Sequence, residues 1–279
     1  MGSPAPSLPV FRIRARSGWA ALNLAEVWAY RDVLWMLALR DIKLRYRQTA
    51  LGIVWVVLQP LLAGLIFSVI FGRFAKLPSE GQPYLLFVFA GLMGWNLFNG
   101  VMQRAGNSLV AESKLITKVY FPRLIIPLSG ALSALVDFSV ASVIMIVLLI
   151  AHHTWSGVWL ALLPLALLVN LALAVGLGLW VSALNVRYRD FMYALPFLLQ
   201  IWMYASPVVY GLSLVPVQWR PWFALNPMSG VLEAFRQALL GASALDGWTI
   251  AASLGGAVLA LASGAIYFRR VEQEFAEQL

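Results

Sequence analysis

"LALAVGLGLWVSALNVRYRDFMYALPFLLQIWMYASPVVY", residues 171–210, sets two apolar runs either side of a short gap that holds Arg187, Arg189 and Asp190. Each run approaches the length that a bilayer's hydrocarbon core demands of a helix, about 20 residues. Charges confined to the gap are what a chain crossing the membrane twice requires. Working outward, comparable segments fall at 51–71, 84–103, 124–151, 158–184, 190–210 and 248–268. The expected fold is therefore an all-α membrane protein with six transmembrane helices, in which residues 1–30 form an N-terminal cytoplasmic segment and 31–279 the six-helix bundle. No uninterrupted apolar stretch followed by a small-residue cleavage site stands in the first thirty residues, so no cleaved signal peptide is expected.

The whole composition agrees. Of 279 residues, 61% are hydrophobic and only 11% charged, and the mean hydropathy is +0.81. A net charge of +8 raises the question of nucleic acid. The basic residues lie in short gaps between apolar runs, however, and form no continuous face with interleaved aromatics, which excludes a nucleic-acid partner. Six spans put both termini on one side. Sixteen of the twenty Lys and Arg residues fall on the side of the termini, which places that side in the cytoplasm.

Several segments are neither plain spans nor plain loops. In 31–47, Trp35, Leu39, Ile42 and Tyr46 recur at helical spacing beside Arg40, Lys43 and Arg47, predicting an amphipathic helix in the cytoplasmic interface. In 107–121, Leu115/Val119 and Lys114/Lys118 are i,i+4 pairs that end at Pro122, predicting a short amphipathic cytoplasmic helix. On the outer side Asn226-Pro227 reads as a helix start and Gly241 as its end. The helix between them is too short to span, and with the Trp219 and Trp222 segment before it predicts a pair of short helices dipping into the outer leaflet. Small residues at fourfold spacing, Gly256/Ala260/Gly264 and Ala172/Gly176, predict close helix contacts.

Catalytic chemistry is hard to place. Cysteine is absent, which removes thiol nucleophiles and thiolate metal sites. His152 and His153 are adjacent and project about 100° apart on a helix, a poor chelating pair, so no metal site is expected. Gly-Lys does not occur, so no phosphate-binding loop of the GxxxxGK[ST] type is present. Asp137 is the one acidic residue deep in a span; a buried helix contact and a proton site are both open readings. Polar-aromatic faces are present instead: Asn96, Asn99 and Gln103 in the second span, and Tyr193, Phe197, Gln200 and Tyr204 in the fifth. Amides with flat ring faces suit sugars.

Three stretches, 38–62, 112–130 and 184–210 ("ALRDIKLRYRQTALGIVWVVLQPLL", "ESKLITKVYFPRLIIPLSG" and "LNVRYRDFMYALPFLLQIWMYASPVVY"), resemble the transmembrane subunit of the ABC exporters for lipid-linked polysaccharide, the Wzm permeases of O-antigen export and their teichoic-acid relatives. The resemblance runs over residues 25–275. It implies a non-catalytic transport subunit, a homodimer in the bacterial inner membrane paired with two copies of a separate ATP-binding-cassette subunit that holds ATP and magnesium. It further implies that Tyr193, Phe197, Gln200, Tyr204, Asn96 and Asn99 line a channel, and that Arg40, Lys43, Arg45, Arg47, Arg187 and Arg189 receive a diphosphate head group. Glu112, Lys114, Leu115, Lys118 and Tyr120 would couple to the ATPase, and Trp219, Trp222 and Phe235 would belong to two outer re-entrant gate helices. Alternatives of other kinds are a capsular polysaccharide, teichoic acid or drug exporter of the same class, a membrane glycosyltransferase or acyltransferase, and a carrier using Asp137.

Overall fold

The computed structural model describes residues 24–47, 53–242 and 245–272, and among them finds helices and no strand. Two helices, α1 (Leu24–Ala29) and α2 (Arg31–Arg47), precede α3 (Ile53–Phe67), which continues as π-helix through Ser68–Phe74. Then come α4 (Tyr84–Ala111), the single turn α5 (Ser113–Ile116), α6 (Ile125–Ala151), α7 (Leu163–Arg187), α8 (Phe191–Tyr204), α9 (Arg220–Leu225), α10 (Pro227–Leu240) and α11 (Gly247–Val271).

Among the described residues five helical segments are long and apolar enough to cross a membrane: Val57–Phe74, Tyr84–Ala111, Ile125–Ala151, Gly157–Arg187 and Gly247–Val271. The sixth expected span is only the 14-residue α8. At about 1.5 Å per residue it covers roughly 21 Å, short of a ~30 Å hydrocarbon core. Pro207 explains its end, because the residue before a proline avoids helix. The second span is longer than expected and runs on to Ala111. The expected helix over 107–121 therefore does not form as one unit. Residues 107–111 belong to α4, a break follows at Glu112 (φ −102°, ψ 20°), and α5 adds one turn. Packing explains the extension: Leu109 is fully buried in a cluster with Leu37, Phe121 and Phe268, and Asn107 accepts a bond from Asn185 Nδ2 at 3.0 Å.

α4 is the central element. Of its most apolar window 78% is buried within the chain, against 6% for the first span. α7 lies alongside it, with Asn170 and Asn185 donating to the carbonyls of Gly94 and Gly106, each at 2.8 Å. α11 packs on the far side of α7 through the small residues flagged in the sequence. A methyl group on Gly176 would overlap the Ala260–Leu261 backbone, and one on Gly264 the Gly176 carbonyl. Trp180 stacks on Tyr267 beside this crossing, centroids 4.1 Å apart.

α10 is as the sequence predicts at both ends. Asn226 Oδ1 accepts from Met228 N at 3.1 Å, and Gly241 takes the left-handed φ of 65°. Its placement differs from a surface hairpin, since twelve of its fourteen residues are buried. Gly230 permits this, because any side chain there would meet Ser253 and the Thr249 carbonyl of α11.

Replacing Gly176 or Gly264 by Val should separate α7 from α11 at a cost on the order of 1–3 kcal/mol or more, read as a lower Tm and an aggregated fraction in detergent. Gly247→Ala, where an added methyl meets nothing within 4 Å, should leave Tm unchanged.

Candidate functional site

α8 packs on α4 through one narrow edge. Leu195 and Leu199 are buried, and Trp202 meets Phe98 edge-on with centroids 5.0 Å apart. On a 100° step per residue, Tyr193, Phe197, Gln200 and Tyr204 lie on the opposite side. Tyr193 is 76% exposed and Phe197 and Tyr204 each 64%. A row of aromatics facing away from its own bundle is a surface prepared for lipid, a second copy or a ligand.

The amides of α4 occupy a different sector. α8 touches α4 at Phe98 and Gly106, while α6 touches it at Gly100 and Arg104. Asn99, Gln103 and Asn96 step into the space between those two directions. Gln103 Nε2 donates to Asn99 Oδ1 at 2.9 Å, and Asn96 is exposed although its neighbours Trp95 and Leu97 are buried. Within one chain, then, the α8 row is uncovered, while on α4 Asn96 is exposed and Asn99 and Gln103 are half-buried below the point where α3 packs at Phe89 and Leu85; the two faces do not face each other.

Arg104 stands beside this stripe and is ion-paired to Asp137 of α6. The sequence reading counted Arg104 with a cytoplasmic loop; the extension of α4 carries it into the bundle. Side chains tilt toward their helix N-terminus, so in this antiparallel pair Arg104 rises as Asp137 descends, and they meet above the close approach of Gly130 to the Arg104 backbone. Asp137 is thus a paired helix contact.

At the end of the bundle that the sequence places in the cytoplasm, Leu37 of α2, Leu109, Phe121, Val186 and Phe268 form one cluster. It turns the Leu37/Ala38 edge of α2 inward and leaves Trp35 58% exposed, so the predicted apolar face of Trp35 and Leu39 is not the one packed on the protein. Arg40 is engaged by protein: its guanidinium bonds both oxygens of Glu112, with Nη1 at 3.0 Å from Oε2, and Asp41 at 2.9 Å. Hydrogen bonding to Glu112 raises its pKa, opposed by burial and helped by Asp41. Arg40 and Glu112, assigned to head group and ATPase respectively, therefore hold each other. Lys43, Arg187 and Arg189 are exposed, with Arg187 above the Tyr188 ring. The side chains of Arg45 and Arg47 lie outside the described residues. In the turn after α4, Lys114, Lys118 and Tyr120 are exposed, Tyr120 by 70%, whereas Leu115 leans on the cytoplasmic cluster.

At the opposite end Trp219 and Trp222 are 53% and 68% exposed. Phe235, expected with them, is instead fully buried against Gly94 and edge-on to Phe138 at 5.9 Å. Beneath it lies a network the sequence reading missed. Arg236, with no exposure, bonds Glu233 at 3.0 Å and the carbonyls of Pro207 and Val208 at 2.7 Å each. It also sits over the Phe87 ring at 4.0 Å. The i,i+3 spacing of Glu233 and Arg236, an acid and a base in a helix whose other face is Met228, Leu232, Phe235 and Leu239, was the signal available. Two peptide carbonyls left unpaired where α8 ends thereby gain a buried donor, which ties α10 to the 205–212 segment.

Glu80 joins this network from the 75–83 loop, accepting from Ser213 Oγ at 3.1 Å. Burial, then the Glu233 charge, raises its pKa. Its folded value exceeds its unfolded one, so stability falls as pH rises through the window just above the ordinary glutamate range. Glu80→Gln should accordingly be more stable than the parent at pH 7, with the advantage shrinking toward pH 5; a lower Tm for the variant at pH 7 would contradict this.

A family model described as "ABC-2 type transporter" matches residues 32–240. The chain is 28% identical over 256 residues to the O-antigen export system permease protein RfbA of Myxococcus xanthus, covering 91% of this chain and 98% of that one. It is 25% identical over 249 residues to the Klebsiella pneumoniae protein of the same name, covering 89% and 95%. The polysialic acid transport protein KpsM of Escherichia coli is more distant, 24% over 205 residues, covering 73% and 80%. With most of its length, central helix and buried outer helix included, under the family match, the chain belongs to the ABC-2 type transporter family.

Proposed function

We propose that this chain is the membrane subunit of an ATP-driven exporter that moves lipid-linked, O-antigen-type polysaccharide across the bacterial inner membrane. It works as a homodimer with two copies of a separate ATP-binding subunit, which holds ATP and magnesium. The observation that carries this is the uncovered aromatic row of α8, Tyr193, Phe197, Gln200 and Tyr204, in a chain whose relatives are named as O-antigen permeases. Ring faces stack on the apolar faces of sugars, and the amides Gln200, Asn96 and Asn99 bond their hydroxyls. A second copy would close these surfaces into a passage, with α8 and the 205–210 segment together serving as the sixth crossing and both termini in the cytoplasm.

The other exposed features fall into place around that passage. Lys43, Arg187 and Arg189, at the end of the bundle gathered by the Leu37–Val186 cluster, attract the diphosphate of the lipid carrier at an anionic surface. Lys114, Lys118 and Tyr120 present themselves to the ATPase. Trp219 and Trp222 close the outer mouth. The Arg40–Glu112 pair links the interfacial helix to the ATPase-facing turn, so that closure of the nucleotide-bound partner moves both together. A capsule-type glycan is the second reading, favoured by the likeness to KpsM. The α8 row, which carries no cation, fits a neutral glycan better than a polyanionic one.

The test is to isolate the chain from its native membrane with whatever accompanies it. A stoichiometric ATPase stimulated by lipid-linked glycan is expected; a chain that purifies alone would reject the reading. Lys118→Glu combined with Tyr120→Ala should weaken capture of that ATPase by roughly tenfold or more, the loss of an exposed aromatic anchor, with Tm unaltered.

A further inference from the structure

Arg104 and Asp137 are not needed by the function just proposed, and their setting is unusual. The pair lies within the apolar bundle, where an ionisable residue is costly and is kept facing protein or water rather than lipid. The Arg104 side chain is 18% exposed and that of Asp137 31%. Nη1 of Arg104 is buried and donates to nothing among the described residues, although a guanidinium left with an unused buried donor is expensive. Around α4 from Arg104, which faces α6, stand Gln103, bonded to Asn99, and the exposed Asn96, in the sector between α6 and α8 that α3 enters nearer the Tyr84 end, where Gly64 meets Phe89 and Leu85.

The chemistry of this cluster selects its ligand. Asp137 disfavours a phosphate or carboxylate beside Arg104, and Arg104 disfavours a cation beside Asp137. A neutral ligand that both donates and accepts hydrogen bonds meets neither objection. Vicinal hydroxyls of a sugar ring do this, accepting from the guanidinium and the amide nitrogens and donating to carboxylate and amide oxygens. We propose that Arg104, Asp137 and Gln103, with Asn96 and Asn99, form a sugar-hydroxyl subsite partway along the translocation path. The subsite holds one ring of the passing glycan and supplies the polar contacts that the aromatic row of α8 lacks. This rests on the exporter reading and names its substrate contact.

Replacing a buried ion pair by apolar residues of similar volume commonly preserves the fold, so Arg104→Met combined with Asp137→Leu separates the two roles. Cells lacking the native gene are complemented with parent or variant, and surface polysaccharide, assembly with the ATPase and Tm are measured. The subsite predicts a variant that assembles with unchanged Tm yet exports at least about tenfold less, the scale of a lost charge-assisted hydrogen-bond set. Export equal to the parent's would overturn it, the pair then being a helix contact only. Parent protein that restores no surface polysaccharide would instead reject the exporter reading.

A second measurement does not depend on the stability of that variant. The chain has no cysteine, so Gln103→Cys gives it a single thiol for a hydrophilic maleimide. Labelling in membranes, slowed by the glycan that mild acid releases from the cell's own lipid carrier, is expected. A thiol that does not label, or labels at the same rate with and without glycan, would overturn the subsite.

Discussion

Two asparagine side chains of α7 set the frame from which everything else hangs. Asn170 and Asn185 donate to the Gly94 and Gly106 carbonyls of α4 at 2.8 Å, fixing two helices in register across about 18 Å of α4. In lipid no hydrophobic force sorts one apolar helix face from another, so interhelical hydrogen bonds and close backbone approach do the sorting. The approach is supplied on the same seam, where Gly106 meets Val181 and Gly178 meets Ala105. With α4 and α7 locked, α11 is placed by Gly176 and Gly264, α6 by the close approach of Gly130 to Arg104 and Ala105, and α10 by Gly94 and Gly230.

That frame explains why the functional surfaces stand where they do. α4 spends most of its circumference on neighbours, so the exposed Asn96, with Asn99 and Gln103 half-buried beside it, marks the sector least covered. α8 is too short and too narrowly attached to hide its aromatic row. At the two ends, networks of charge replace lipid-compatible packing. Arg236 supplies donors to carbonyls released where α8 stops, and Arg40 grips Glu112 where α4 breaks. Each ties a peripheral segment to α4 or α10, so the turn after α4 is joined to α2 through Arg40 and Glu112.

Much of this was legible from residue pattern. Runs of apolar residues located the long helices, Asn226-Pro227 and Gly241 fixed both ends of α10, and glycines spaced by four marked the α7–α11 contact. These signals are local: caps, turns and small-residue spacing act within a few positions of themselves. What pattern hid is set by contacts far apart in sequence. Ending α4 at 103 was reasonable for hydropathy alone, yet Leu109 and Asn107 find partners on other helices and carry the helix on to Ala111. Phe235 looked like an outer aromatic because nothing local says that Gly94 makes room for it. Arg104 looked like a loop cation until its helix lengthened and Asp137, thirty-three residues on, turned out to be its partner.

The central claim is that this chain forms an ATP-driven path for a lipid-linked glycan, and vesicles test it directly. The chain and its ATPase would be reconstituted together with the lipid-linked glycan, and a glycan-binding lectin in the compartment facing the outer gate would record what crosses. The account predicts that lectin-accessible glycan rises with ATP and stays at background with a non-hydrolysable analogue. Equal lectin accessibility with and without ATP hydrolysis would contradict it.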